Sequence, residues 1–124
     1  MSGPEAHWRA ALDEGRFLIQ RSVESGKFVF PPRIAAPGSG EALEWVEASG
    51  LGTVYSVTII GRKPPAPDYN VVLVDLDEGV RMMSRVEGLQ PDDVRIGMRV
   101  SARIIREDDQ ALVVFDPVEI ENGG

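Results

Sequence analysis

The chain has 124 residues, of which 43% are hydrophobic and 27% charged, enough for one domain with a modest core or a small domain with an appendage. It contains no cysteine and one histidine. That excludes disulfides and thiolate metal sites, fits a reducing compartment and leaves His7 unable to build a metal site alone. The net charge is −7, with 5 basic and 6 acidic groups in residues 1–44 against 8 and 14 in residues 45–124, so the C-terminal part is the acidic one and repels a phosphate backbone.

No apolar run approaches the roughly 18 residues that span a bilayer. The start, MSGPEAHWRA, lacks a basic stretch followed by an apolar one, so neither a signal peptide nor a membrane contact is expected, and the location expected is cytoplasmic. Three regions then follow in chain order: residues 1–20, 21–44 and 45–124. In the first, Trp8, Ala11, Leu12 and Gly15 recur at spacings of three and four, one apolar stripe on a helix. Pro4 suits its first turn and Gly15 its end. The stripe can pack on the body of the chain, or Trp8 and Leu12 can stay exposed as a handle for another protein. Phe17, Leu18 and Ile19 can begin a strand.

The second region, Arg21 to Glu44, is rich in proline, glycine and serine. It holds two turns of matching pattern, Ser22 to Gly26 and Ala36 to Gly40. Each has two small residues three apart followed by glycine, the spacing by which a zinc knuckle grips a metal with two thiolates. Phe28, Val29 and Phe30 can make a short strand between them, which Pro31 and Pro32 stop.

The third region reads as all-β. From Trp45 to Ile59 runs one long strand with a Ser49-Gly50-Leu51-Gly52 bend or bulge. A proline-stiffened loop follows, then a buried strand at residues 71–76, a tight turn at Asp77-Glu78-Gly79 and a returning strand at residues 80–88. A turn around Pro91 with a short helical piece leads to a strand with Arg99, Arg103 and Arg106 pointing outward. Residues 111–120 close the sheet. Five strands, the first long and bent, predict a small Greek-key barrel of OB type, so the fold class expected is mainly β with an N-terminal helix and a five-stranded C-terminal OB barrel.

Pro31-Pro32-Arg33, the strand Ser49-Gly50-x-Gly52-x-Val54-Tyr55-Ser56, the hairpin Leu76-x-Glu78-Gly79 and Ile96-Gly97-Met98-x-Val100 occur in an order and spacing that resembles the DUF thirty-five family of OB-fold proteins. The resemblance covers nearly the whole chain. It implies a helical segment, a rubredoxin-like zinc ribbon at residues 21–44 and an OB domain at residues 45–124. It also implies four zinc cysteines at the positions held here by Ser22, Ser25, Ala36 and Ser39. Serine is a very poor ligand at neutral pH and alanine is none, so a metal-free, degenerate ribbon with no zinc is expected. Such proteins are similar to the small, non-catalytic partners of thiolase-like and MaoC-type hydratase-like enzymes in acyl-CoA metabolism of lipid and steroid type. The resemblance thus implies an acyl-CoA-binding or scaffolding subunit, and no enzyme.

The residues contain no competing catalytic set. His7 has no obvious Ser–Asp companions. Asp75, Asp77 and Glu78 cluster at a hairpin, but that pattern is an ordinary turn entry. Residues 49–52 lack the lysine and following helix of a phosphate loop. An acyl-CoA ligand asks for cations and an apolar slot; the candidates are Arg33, Arg62, Lys63, Arg81 and Met82. Partner-contact candidates are Trp8, Leu12, Phe28 and Phe30. A single-stranded nucleic-acid binder, the commonest use of an OB barrel, is the alternative, and it would need a basic groove with stacking aromatics.

Overall fold

A computed structural model describes residues 3–118. Helix α1 (Pro4–Asp13) has Pro4 in its first turn, where a missing N–H costs nothing. It ends where the Gly15 amide donates to the Leu12 carbonyl at 2.9 Å. Its apolar stripe faces inward. Ala11 and Leu12 are buried, and Trp8 is half-buried with its ring edge on Phe30, 5.8 Å between centroids. Of the two readings of this stripe, the structure selects packing on the chain itself. Leu12 is 2% exposed and belongs to the core, so it is corrected from a partner contact to a structural residue.

The eight strands among the described residues form two sheets. The first has the order β2-β1-β3, built from β1 (Leu18–Ser22), β2 (Phe28–Val29) and β3 (Leu43–Glu47), all antiparallel. The long strand expected from Trp45 onward is therefore divided. Trp45 pairs with Gln20 of β1 in the ribbon sheet and stacks on His7 at 4.7 Å. The chain then bends through Ala48–Gly50 before β4 begins.

The second sheet is the barrel. It runs β6-β5-β4-β7-β8, with β4 (Leu51–Ile60), β5 (Tyr69–Leu76), β6 (Arg81–Ser84), β7 (Arg99–Glu107) and β8 (Gln110–Pro117). Val86 and Phe115 pair in parallel and close it, with the Glu87 amide on the Phe115 carbonyl at 2.7 Å and the Phe115 amide on the Arg85 carbonyl at 3.0 Å. First strand flanked by second and fourth, third joined to fifth: this is the OB arrangement. Phe115 lies at the centre with no exposed surface. The connection from third to fourth strand carries a 3-10 turn at Pro91–Asp93. No helix among the described residues is long and apolar enough to cross a membrane.

One local expectation holds and one changes. The bend expected at residues 49–52 is the break at residues 48–50 ahead of β4, whereas the register irregularity within β4 falls at Tyr55, between the pairs Val54–Val74 and Ser56–Leu73. And β5 is not buried on both faces: Asn70, Val72, Val74 and Leu76 point inward while Val71, Leu73 and Asp75 are half-exposed, the alternation of an antiparallel strand. Of the final run, Glu119 and Ile120 lie outside the described residues.

Candidate functional site

The two turns of the ribbon share one hydrogen-bond scheme. In the first, the Ser22 amide donates to the Lys27 carbonyl at 2.8 Å and the Gly26 amide to the Ser22 carbonyl at 2.9 Å. In the second, the Ala36 amide donates to the Glu41 carbonyl and the Gly40 amide to the Ala36 carbonyl, both at 2.9 Å. Gly26 and Gly40 have φ of +76° and +71°, a conformation in which a Cβ is strained. The Ser25 hydroxyl accepts the Lys27 amide at 3.4 Å and the Ser39 hydroxyl accepts the Glu41 amide at 3.3 Å. The turns thus share these three hydrogen bonds, while the Ser22 hydroxyl, which accepts the Ser25 amide at 3.2 Å, has no counterpart at Ala36.

The donor set between them does not suit zinc. That ion wants thiolate, imidazole or carboxylate ligands in a tetrahedron. Ser22, Ser25 and Ser39 offer neutral hydroxyls, and Ala36 offers no donor. The one anionic group present, Glu41, already accepts a hydrogen bond from the Ser22 hydroxyl. That bond comes first, and Ser25 and the charge of Lys27 add to it, in holding the Glu41 carboxyl below the usual carboxylate range. No cluster of three or more His, Cys, Asp or Glu able to hold a metal occurs among the described residues.

Beside these turns lies a cleft of about 530 Å³, floored by the ribbon and walled by the β5–β6 hairpin of the barrel at Gly79, Val80 and Arg81. Phe28, Phe30 and Pro37 give it apolar sides, and Lys27, Arg33 and Arg81 bring three cations against the single carboxylate of Glu41. The excess is notable in a chain of net charge −7. The three cations are not equivalent. Arg81 is held by Asp75 at 2.6 Å and lies over the Tyr55 ring at 3.5 Å. Lys27 and Arg33 have no ion-pair partner among the described residues.

The backbone at Arg33 is fixed from behind. The buried Gln20 amide donates to the Arg33 carbonyl at 2.7 Å and accepts the Arg33 amide at 2.6 Å. Gln20 closes the ribbon as Asn70 closes the barrel: the Asn70 side chain bridges the Val86 amide and carbonyl at 2.8 and 2.9 Å. Both amides are at most 5% exposed and fully paired, as burial demands.

The structure sorts the sequence candidates. Arg33 and Arg81 meet at the cleft, with Phe28 and Phe30 in its walls and Ser22, Ser25, Ala36 and Ser39 along its floor. Arg62 and Lys63 stand apart on the proline-rich loop, where Arg62 lies 4.6 Å from the Tyr69 ring and donates to the Pro67 carbonyl. Met82 is corrected: it is 5% exposed and part of the core, whereas Met83 is 69% exposed, because neighbours on a strand point to opposite faces. Sequence reasoning missed Lys27, Glu41, Gln20 and Asn70. The signal for the last two was a polar residue at an inward position of an apolar strand.

The carboxylates of the acidic hairpin are engaged within the chain. Asp75 binds Arg81, Asp77 binds Arg99 through two contacts of 2.7 and 2.8 Å, and Glu78 accepts the Ser49 amide at 2.6 Å. The outward arginines are likewise engaged: Arg85 with Glu87 and Glu107, Arg103 with Asp116, Arg106 with Asp13.

Fold and site define an OB-barrel protein with a helix and a two-turn ribbon in front of the barrel and a cationic cleft between ribbon and hairpin. A family model for the C-terminal OB-fold domain of ChsH2 matches residues 45–104. A DUF35 domain-containing scaffold protein of Pyrococcus furiosus is 32% identical over 88% of this chain and 85% of its own. The chain belongs to the DUF35 family. A probable enoyl-CoA hydratase alpha subunit of Thermomonospora curvata is 37% identical over 90% of this chain, which spans 37% of that longer protein. A solved structure described as an Ltp2-ChsH2(DUF35) aldolase superposes with a TM-score of 0.83 at 33% identity, covering 94% of this chain and 96% of that one.

Proposed function

We propose that this chain is a non-catalytic subunit that partners a thiolase-like or hydratase-like enzyme of acyl-CoA metabolism, and that its ribbon cleft receives the phosphate-bearing end of the acyl-CoA. The observation that carries the first half is the end-to-end likeness to a chain of the structure described as an Ltp2-ChsH2(DUF35) aldolase. The described carboxylates of the hairpin are spent on arginines and a backbone amide, and His7 lies flat on Trp45. Neither arrangement presents an acid, a base or a nucleophile to a substrate, which supports a role without catalysis. For the second half, Lys27 and Arg33 are cations without an ion pair among the described residues, beside an apolar wall, in a space of the size ligand sites have. The ion-paired state of Arg81, Arg85, Arg99 and Arg103 argues against a phosphate backbone on the barrel face, so no nucleic acid enters the proposal. The lack of cysteine supports a cytoplasmic setting.

Co-purification of a tagged chain from its native cell extract at low salt, followed by mass spectrometry, tests the partner. A thiolase-like or hydratase-like enzyme in near-stoichiometric amount is the expected companion; elution alone or with nucleic acid refutes the reading. Calorimetry with acetyl-CoA on the resulting complex tests the cleft. The charge reversals Lys27→Glu and Arg33→Glu are each expected to weaken binding about tenfold or more, the worth of a charge-assisted contact. Unchanged affinity in both would place the ligand elsewhere.

A further inference from the structure

We infer that the ribbon of this chain is held by a carboxylate in place of a metal ion: Glu41 ties the second turn to the first through the Ser22 hydroxyl. The inference rests on where the donors and acceptors go. Glu41 is fixed to the second turn by its backbone, its amide on the Ser39 hydroxyl and its carbonyl receiving the Ala36 amide. Its side chain crosses to the first turn and accepts the Ser22 hydroxyl proton.

Ser22 is 1% exposed, so its hydroxyl cannot be served by water. It accepts the Ser25 amide at 3.2 Å, which leaves its own hydrogen to be donated. An ionised carboxylate accepts and never donates, and Glu41 is the one placed to receive it. Lys27 lines the same cleft and favours the charged form, in keeping with the lowered pKa of Glu41 and its causes in Ser22, Ser25 and Lys27. In a ribbon with four thiolates the metal is the single object both turns touch. Here that object is a side chain of the second turn, and the matched geometry of the turns survives without any ligand set. A lone carboxylate also carries less negative charge than a metal tetrathiolate, which leaves Lys27 and Arg33 freer to meet an anion.

Limited trypsin cleavage of the full chain at Lys27 and Arg33 reads opening of the ribbon, because cleavage requires local unfolding. Dialysis against a chelator is expected to leave the cleavage rate unchanged, and calorimetry with Zn²⁺ alone is expected to show no one-to-one binding. Faster cleavage after chelation, or stoichiometric zinc, overturns the inference. Glu41→Ala is expected to speed cleavage about tenfold, the scale of one lost buried hydrogen bond, with Glu41→Gln in between; an unchanged rate in Glu41→Ala overturns it as well. Should Glu41→Ala not fold, a second variant decides. Ser22→Cys, Ser25→Cys, Ala36→Cys and Ser39→Cys, combined with Glu41→Ala, should fold with Co²⁺, show the visible absorption of tetrahedral thiolate cobalt and regain protection. Absence of that spectrum refutes the reading that the two turns face one another across a shared centre. None of these readouts involves the partner enzyme or acyl-CoA, so their outcome is separate from that of the proposed function.

Discussion

Gly52→Ala probes the β4–β5 ladder that leads into the cleft hairpin. Gly52 faces Leu76 in the β4–β5 ladder, and its backbone is in a region any residue adopts, so alanine meets no conformational penalty there. The obstacle is space. A Cβ at Gly52 would lie 2.7 Å from Cγ1 of Val74 and 2.8 Å from the Asp75 carbonyl oxygen. Val74 has no exposed surface and is χ1-stiff, and Asp75 is fixed in the sheet between Thr53 and Arg81, so neither can step aside cheaply. Overpacking costs about 1–3 kcal/mol, and a clash with backbone belongs at about 2–3 kcal/mol, a loss of about 30- to 160-fold in the folding constant. Urea unfolding followed by circular dichroism should show the midpoint lowered by about 1–2 M. Gly61→Ala is the control: its Cβ would meet only the Asp68 carboxylate at 3.8 Å, so a change within about 0.5 kcal/mol is expected. If Gly52→Ala also stays within that margin, the ladder yields at this point and the reasoning fails.

Leu12→Ala should cost about 2–5 kcal/mol in the same unfolding assay, since a side chain 2% exposed leaves a cavity between helix and barrel; a cost under about 1 kcal/mol would restore Leu12 as a surface residue. Asn70→Asp should destabilise above neutral pH by about 3 kcal/mol or more, because it sets a charged acceptor against the Val86 carbonyl and removes the donor. Native-state hydrogen exchange at Glu87 and Phe115 should report the opened barrel seam in that variant; unchanged protection there would refute the closure role. The ribbon should also respond to acid. Because the Glu41 carboxyl titrates lower folded than its ordinary value of 4.5, the folded ribbon binds fewer protons. Its contribution is complete above about pH 4.5 and is lost as pH falls below it. Hydrogen-exchange protection of the Ser25 and Lys27 amides, followed across that range, should fade in the native chain and not in Glu41→Gln; equal profiles would refute it.

Much of the fold was legible because it follows from local rules. The 3.6-residue spacing of Trp8, Ala11 and Leu12 gave the helix, and alternation with turn residues gave the barrel strands. The rhyme of Ser22–Gly26 with Ala36–Gly40 gave two turns that the hydrogen bonds bear out. What the sequence left open was which way some elements face. A stripe on a helix does not say whether it meets the chain's own barrel or another protein, and here Leu12 meets the barrel. Two adjacent methionines must face opposite ways, yet only the sheet decides that Met82 is the inner one. A strand-rich run through Trp45 looks continuous, but its first half finds a better partner in β1.

The sequence by itself determined the class of fold, the absence of thiolate ligands and the surplus of acid, because composition and spacing act on each residue where it stands. Tertiary structure decided which charges remain available. Lys27 and Arg33 look no different in the sequence from Arg99 or Arg103, but the latter two meet Asp77 and Asp116 at 2.7 Å. The cleft pairs a ribbon with a hairpin some forty residues away. Glu41 reaches a hydroxyl nineteen positions earlier. Such contacts depend on Coulomb and hydrogen-bond distances of a few ångströms, and only the folded chain sets those between residues remote in sequence.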